Sequence, residues 1–225
     1  MNLITRLLQS LKNRGVKRTL ESALNIFEDL LFDMRYRTDT ARRVNLADFT
    51  VVGSNKDAAN PYHPTRGRSF KKLMHRLKFP DGSVFVDFGS GKGKTLLLAS
   101  RFGFKRAVGV EFSPELCAIA ERNVFAWRSK VDLNTEISVV CCDAGTYAIN
   151  DDENVFFMFN PFHSSIMERV VDNIATALAL KPRNAWLIYG DPHCRDVVER
   201  KLKLLEHLNY SYGGVDYIVW SVQVN

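Results

Sequence analysis

From Ser83 onward the sequence alternates short, almost wholly apolar runs with segments of helical period, and few folds accept that order. The apolar runs are "VFVDF", "AVGVEF", "EISVVCC", "NVFFMFN" and "NAWLIYGD"; the helical ones are "TLLLASRFG", "PELCAIAERNVFAWRS" and "SSIMERVVDNIATALAL". Strands apolar on both sides must be covered on both faces, so the pattern predicts a parallel sheet between helices, wound by right-handed crossovers. The end of the chain differs. A helix from Val197 to about His207 precedes "LNYSYGG" and "VDYIVWSVQV", which only a short Gly-Gly turn separates. Such a turn joins antiparallel strands and cannot make a parallel crossover. The fold class is therefore α/β, a Rossmann-like sheet that is mostly parallel and finishes in an antiparallel hairpin.

The first 80 residues read as a separate, helical N-terminal extension, and residues 81–225 as the α/β domain. From Asn2 to about Leu31 apolar residues recur at helical spacing (Leu3, Leu7, Leu8, Leu11, then Leu20, Leu24, Phe27, Leu31), with Gly15 as a break between two helices. These positions are expected to face a core. Residues 33–64 read as a long loop folding over the main domain, and Ser69 to Leu77 as one more short helix. Residues 1–82 hold 16 Lys and Arg against 8 Asp and Glu, whereas the remainder holds 15 against 17. The basic character thus belongs to the extension, which suits an acidic partner such as nucleic acid or an anionic membrane surface, or simply a solvated face. Cys117, Cys141, Cys142 and Cys194 lack C-x-x-C spacing, and no metal-ligand pattern is present; reduced thiols and a cytoplasmic location are expected. No stretch has the length of a membrane span.

The run "VFVDFGSGKGKTLLLAS", Val84 to Ser100, carries the chemistry. A triphosphate loop needs G-x-x-x-x-G-K-[ST], and counting back from Gly93-Lys94-Thr95 puts Phe88 where its first glycine belongs. A dinucleotide loop needs G-x-G-x-x-G/A, and Lys94 stands where its third small residue should be. The glycines come as G-x-G-x-G behind Asp87. A fixed carboxylate there repels a pyrophosphate and attracts a ligand bearing cations.

"VFVDFGSGKGKTLLLA" resembles the first motif of the class I S-adenosylmethionine-dependent methyltransferases. The resemblance implies S-adenosyl-L-methionine as cofactor, held by Asp87, Gly89, Ser90, Gly91 and Gly93. It implies that Glu111, with Phe112 beside it at the end of "RAVGVEFSPEL", accepts the ribose diol, and that Asp143, followed by Ala144 in "ISVVCCDAGTY", lies at the adenine. Glu111 as a helix cap and Asp143 as a turn residue are the alternatives. "VFFMFNPF", residues 155–162, resembles the Asn/Asp-Pro-Pro-aromatic motif of N-methyltransferases without its second proline. By that likeness Asn160 and the Pro161 carbonyl orient an acceptor amine, Phe162 shapes the pocket, and Asn160 also borders the cofactor; Asn-Pro also commonly just ends a strand. "NPYHPTRGRSFKKLM" resembles a stretch found in bacterial class I methyltransferases of unassigned substrate, and more loosely in the non-SET protein lysine methyltransferases, where it covers the cofactor. Tyr62 and Thr65 are its candidates for closing the site. His163 and Tyr62 are candidate proton acceptors, with capping of the following helix as the other role for His163, and Asp191 and His193 border the same crevice.

The implied activity is methyl transfer to a nitrogen of a protein or other macromolecule. Methylation of a small metabolite, envelope precursor or RNA is the alternative enzyme, and a non-catalytic methyltransferase-like binding module the alternative class. The acceptor and the oligomeric state are open at this point.

Overall fold

A computed structural model describes residues 23–42, 65–202 and 204–222. Seven strands form one sheet: β1 (Val84–Phe88), β2 (Arg106–Glu111), β3 (Glu136–Cys141), β4 (Glu153–Phe159), β5 (Ala185–Gly190), β6 (Leu204–Tyr212) and β7 (Val215–Val222). Their order is β3-β2-β1-β4-β5-β7-β6. The first five pair in parallel; β7 runs antiparallel to both β5 and β6. The helices are α1 (residues 23–36), α2 (Gly67–Met74), α3 (Lys94–Ala99), α4 (Pro114–Arg128), α5 (Ser164–Leu180) and α6 (Arg195–Lys201). Strand succession reverses at β1, which has β2 on one side and β4 on the other, so a crevice opens at the carboxyl ends of these strands.

Every residue of β1 is buried, as a central strand covered on both faces requires. Alternation then sorts its side chains. Val84, Val86 and Phe88 join the core under α5 and α6, while Phe85 joins the opposite core with Phe70 and Leu73 of α2, Leu96 of α3 and Trp127 of α4. Asp87 belongs to the second face, which puts its carboxylate beside Thr95 of α3.

The antiparallel ending appears as the turn chemistry requires, but its boundary moves. The helix expected to reach His207 stops at Lys201, and β6 already begins at Leu204, paired to Val222. Leu202, Leu205 and Leu208 have helical spacing, yet the long ladder of β7 recruits them, and pairing outweighs local propensity.

The larger difference concerns α1. It continues past Leu31 to residue 36, into the expected loop, and it is inverted relative to expectation. Its inward side carries Asn25, Asp29 and Asp33 with Phe32 and Tyr36, whereas Leu24, Phe27 and Leu31, expected to face a core, are exposed. The cause lies in the glycine loop. Lys94 is 2% exposed, and its Nζ lies 2.5 Å from Asp29 Oδ1 and 5.9 Å from the Phe32 ring. A buried ammonium needs a counter-charge, and α1 turns its carboxylate inward to supply it. Phe32 and Tyr36 then pack on Trp127, with ring centroids 5.4 and 4.4 Å away. The expected first helix with Leu3, Leu7, Leu8 and Leu11, the break at Gly15, Leu20, and residues 43–64 of the expected loop lie outside the described residues.

Asp29→Ala should lower the free energy of unfolding in urea by roughly 3 kcal/mol, because it strands the buried Lys94 charge. Asp29→Ala combined with Lys94→Met should recover most of that loss. Equal losses in the two variants would show that helix packing, not the ion pair, sets stability there.

Candidate functional site

The glycine loop leaves β1 and turns at once onto the end of β2: Gly89 N and Ser90 N both donate to Val110 O, at 2.8 and 3.1 Å. Gly89, Gly91 and Gly93 all have positive φ (80°, 54° and 78°), which accounts for the G-x-G-x-G spacing. Gly89 carries a second constraint. A Cβ there would sit 2.5 Å from Pro161 Cβ, so the loop and the Asn-Pro turn after β4 are in direct contact. Gly109 on β2 is a glycine that spacing arguments did not single out. A Cβ on it would meet Ser90 Oγ and Leu96 Cδ1 at 2.6 Å, and its bareness lets the loop and α3 lie against the sheet.

Glu111 ties these parts together. Its Oε2 accepts from Gly91 N at 2.8 Å, and its Oε1 accepts from Phe112 N and Ser113 N, each at 3.0 Å. The cap of α4 is Ser113, whose Oγ accepts from Leu116 N, so Glu111 is a buried organiser of the loop rather than a helix cap. Three of a carboxylate's roughly four acceptor positions are thereby used.

Burial dominates the acid–base state of both carboxylates. Desolvation raises Asp87 to about 8, against the lowering effect of its hydrogen bond with Thr95 and with a further rise from neighbouring Glu111. Burial also raises Glu111, opposed by its three backbone donors.

Beside the loop lies a narrow cleft lined by Gly89, Val110, Phe112, Asp143, Ala144, Phe162 and Ile166. Five of these seven come from the residues singled out by sequence. Asp143 serves as a turn residue, its Oδ1 accepting from Gly145 N at 2.8 Å to cap a short 3-10 turn (Ala144–Thr146), and it is one of the residues that line the cleft. Its Oδ2 lies 3.5 Å from Arg169 Nη1. Asn160 adopts a left-handed φ of 42°, and Pro161 borders the cleft through Gly89. Thr65 is buried at the approach to α2 and is not among the cleft-lining residues; Tyr62 lies outside the described residues. His163 is exposed, and its side chain makes no capping bond to α5. Asp191 and His193 stay exposed after β5, with His193 Nδ1 2.9 Å from the Asp191 carbonyl.

Two groups of residues escaped the sequence reading. Lys92, 1% exposed, donates from Nζ to Asp39 Oδ1 at 2.8 Å. Asn123 of α4 clamps this junction, since its Nδ2 donates to the carbonyls of Lys92 and Asp39 while its Oδ1 accepts from Asp39 N. Such pairing across the chain leaves no local signal. The other is Tyr217 on β7, opposite Gly190 at the end of β5. A Cβ on Gly190 would strike Phe159 at 2.5 Å and Tyr217 at 2.9 Å, and the buried Tyr217 hydroxyl has no hydrogen-bond partner among the described residues. In "VDYIVW" it reads as one more core aromatic.

Two buried carboxylates, Asp87 and Glu111, beside the glycine loop and a largely apolar cleft walled by Phe112 and Phe162 suit a ligand that is cationic and carries no phosphate. The family model "Histone methylation protein DOT1" matches residues 57–135, which span the loop and Glu111 and stop before Asp143 and Asn160. No curated protein matches. Solved structures share the fold. An RNA methyltransferase from Salinibacter ruber in complex with S-adenosyl-L-homocysteine is 19% identical with a TM-score of 0.51, over 72% of this chain and 95% of its own. Ribosomal protein L11 methylase from Lactobacillus delbrueckii subsp. bulgaricus is 15% identical (TM-score 0.50, covering 69% and 78%). The mitomycin 7-O-methyltransferase MmcR is 16% identical (TM-score 0.54, covering 70% and 54%).

The raised Asp87 has a measurable consequence. Its folded carboxyl holds a proton to about pH 8 and its unfolded one only to the ordinary range near 3.8, so the folded chain binds the extra proton between these limits. Ligand-free stability therefore falls as pH rises through that window. A cation bound at Asp87 favours the ionised form, so S-adenosyl-L-methionine should bind with proton release and tighten by up to about tenfold per pH unit between about pH 6 and about pH 7.5. Calorimetry in two buffers of different ionisation enthalpy reads both effects, and Asp87→Asn should flatten them. A pH-independent affinity in the unmodified protein would mean that Asp87 does not change its ionisation when the ligand binds.

Proposed function

We propose that this chain, a class I S-adenosylmethionine-dependent methyltransferase, methylates a nitrogen atom of a protein. The observation that carries the proposal is the Asn160-Pro161-Phe162 turn: a left-handed Asn at the end of β4, pressed through Pro161 onto Gly89, with Phe162 in the wall of the cleft. A polar side chain and a carbonyl are thereby held next to the cofactor loop, where an amine can be received. The match to a histone-methylation family over the loop supports a protein acceptor; the RNA, ribosomal-protein and small-molecule enzymes that share the fold show how freely acceptors change on it.

The cofactor supplies a methyl group on a sulfonium, ready for in-line displacement. The chain's part is placement. Asp87, the glycine loop and Glu111 would fix the cofactor's amino-acid and ribose ends, and Asp143 with Ala144, Phe112 and Phe162 would enclose the base. Asn160 and the Pro161 carbonyl would accept hydrogen bonds from the acceptor amine and aim its lone pair. Holding the two reactants in line supplies up to about 7–11 kcal/mol of the acceleration. The described residues ahead of the domain, 23–42, join the loop through Asp29 and Asp39.

Incubating the protein with cell extract and methyl-labelled cofactor tests the reading. Label that precipitates and is lost on protease treatment supports it; label lost to ribonuclease, or confined to soluble small molecules, overturns the protein acceptor. Asn160→Ala should leave cofactor affinity within about twofold while abolishing transfer, and Glu111→Ala should weaken cofactor binding by roughly 1.5–3 kcal/mol. Equal loss of binding and transfer in Asn160→Ala would assign that residue to the cofactor or to folding.

A further inference from the structure

The inverted helix α1 leaves a face to be explained. Leu24, Ile26, Phe27, Leu30, Leu31 and Met34 are all exposed, Phe27 by 58% and Met34 by 76%, and they account for most of the large exposed apolar side chains among the described residues. Scattered apolar residues on a surface are ordinary, but six on four turns of one helix form a contiguous stripe. The demand of Lys94 for Asp29 explains why the polar side faces in. It does not explain why the outer side is leucine, isoleucine and phenylalanine rather than lysine and glutamate.

The neighbouring helix indicates the occupant. α2 adjoins α1 through Arg68 Nη1, 3.8 Å from Glu28 Oε1, and through Gly67, which lies against Asp29. Its outer side and the turn after it expose Arg68, Lys71, Lys72, His75, Arg76 and Lys78, and no acidic residue occurs between Arg66 and Pro80. Arg35, Arg37 and Arg42 add exposed cations at the end of α1. The carboxylates nearby are already engaged: Asp29 by Lys94, Asp39 by Lys92, and Asp33 by the backbone and hydroxyl donors of Thr38, Thr40 and Ala41.

We infer that α1 and α2 form a docking surface for an anionic lipid bilayer, with the apolar stripe of α1 set into the headgroup boundary and the cations of α2 against lipid phosphates. An apolar stripe of long side chains flanked by Lys and Arg is the composition of an interfacial helix. A nucleic-acid backbone would use the cations but has no counterpart for the stripe. A second copy of the chain would bring the same cations face to face. Among the described residues no helix is long and apolar enough to cross a membrane, so attachment through this surface is peripheral.

Flotation of the full chain with vesicles of phosphatidylcholine alone, or of phosphatidylcholine mixed with phosphatidylglycerol, tests the inference. The protein should float with the mixed vesicles, stay behind with the neutral ones, and be released by salt. Phe27→Glu with Leu30→Glu, both at exposed positions, should weaken partition at least about tenfold. Lys71→Glu with Lys72→Glu should abolish the preference for anionic lipid. Unchanged thermal unfolding and cofactor titration would show that both variants are folded. Absence from the mixed vesicles, or undiminished flotation of either variant, overturns the inference; a dimer in sedimentation that the Phe27 and Leu30 changes dissolve would assign the face to a second copy instead.

Discussion

The site depends on one buried carboxylate. Glu111, at the last position of β2, accepts hydrogen bonds from the backbone of Gly91, Phe112 and Ser113, and so fixes the glycine loop, the exit of β2 and the entry to α4 to a single point. Removing a carboxylate from water costs several kcal/mol unless donors replace the solvent. Three backbone N–H groups that would otherwise be orphaned provide the replacement, and burial keeps them from exchanging with water. Gly109 and Gly89 make this geometry sterically possible, the first by letting the loop approach β2 and the second by letting Pro161 approach the loop. The acidic residue and the glycines are therefore parts of one construction, not independent contacts to a ligand.

A second constraint comes from the lysines interleaved with those glycines. Lys92 and Lys94 are both buried, and neither counter-charge lies in the α/β domain; Asp39 and Asp29 bring them from the preceding segment. Desolvation pulls Lys94 below its usual range and pushes Asp29 above its own, as expected for a pair held away from solvent. The glycine loop is thus completed by the chain ahead of it. That requirement fixes which side of α1 faces in and leaves its apolar side exposed.

How legible this was in the sequence differs from part to part. The parallel sheet was plain, because β1, β2, β4 and β5 are apolar on both faces and the helices between them carry a regular period. The hairpin followed from the two glycines between β6 and β7, and the loop from the spacing behind Asp87. What could not be read depended on partners distant in sequence. Helical periodicity reports that α1 has two faces but not which one turns inward; a single ion pair 65 residues away, Asp29 with Lys94, decides it. The start of β6 was hidden for the same reason, since only β7 can tell leucines at helical spacing that they belong to a strand. Asp143 was legible as a candidate but not as a residue that caps a turn and lines the cleft at once, and Tyr217 looked like core because the lack of a hydrogen-bond partner for its hydroxyl among the described residues is a property of the packed structure.

The electrostatics of the crevice carry a final implication. Asp87 and Glu111 are both buried, each is raised by desolvation, and Glu111 raises Asp87 further by repulsion. Two adjacent buried carboxylates cannot both ionise without cost, so the folded chain settles the conflict by keeping a proton on Asp87 through neutral pH. A cationic ligand resolves it differently, by supplying the missing positive charge and releasing the proton. A neutral or anionic ligand of the same shape offers no such relief and would meet a protonated acid with little to gain from it. On the proposed function, a preference for a cationic nucleoside over a phosphorylated one would follow from the two carboxylates buried beside the loop.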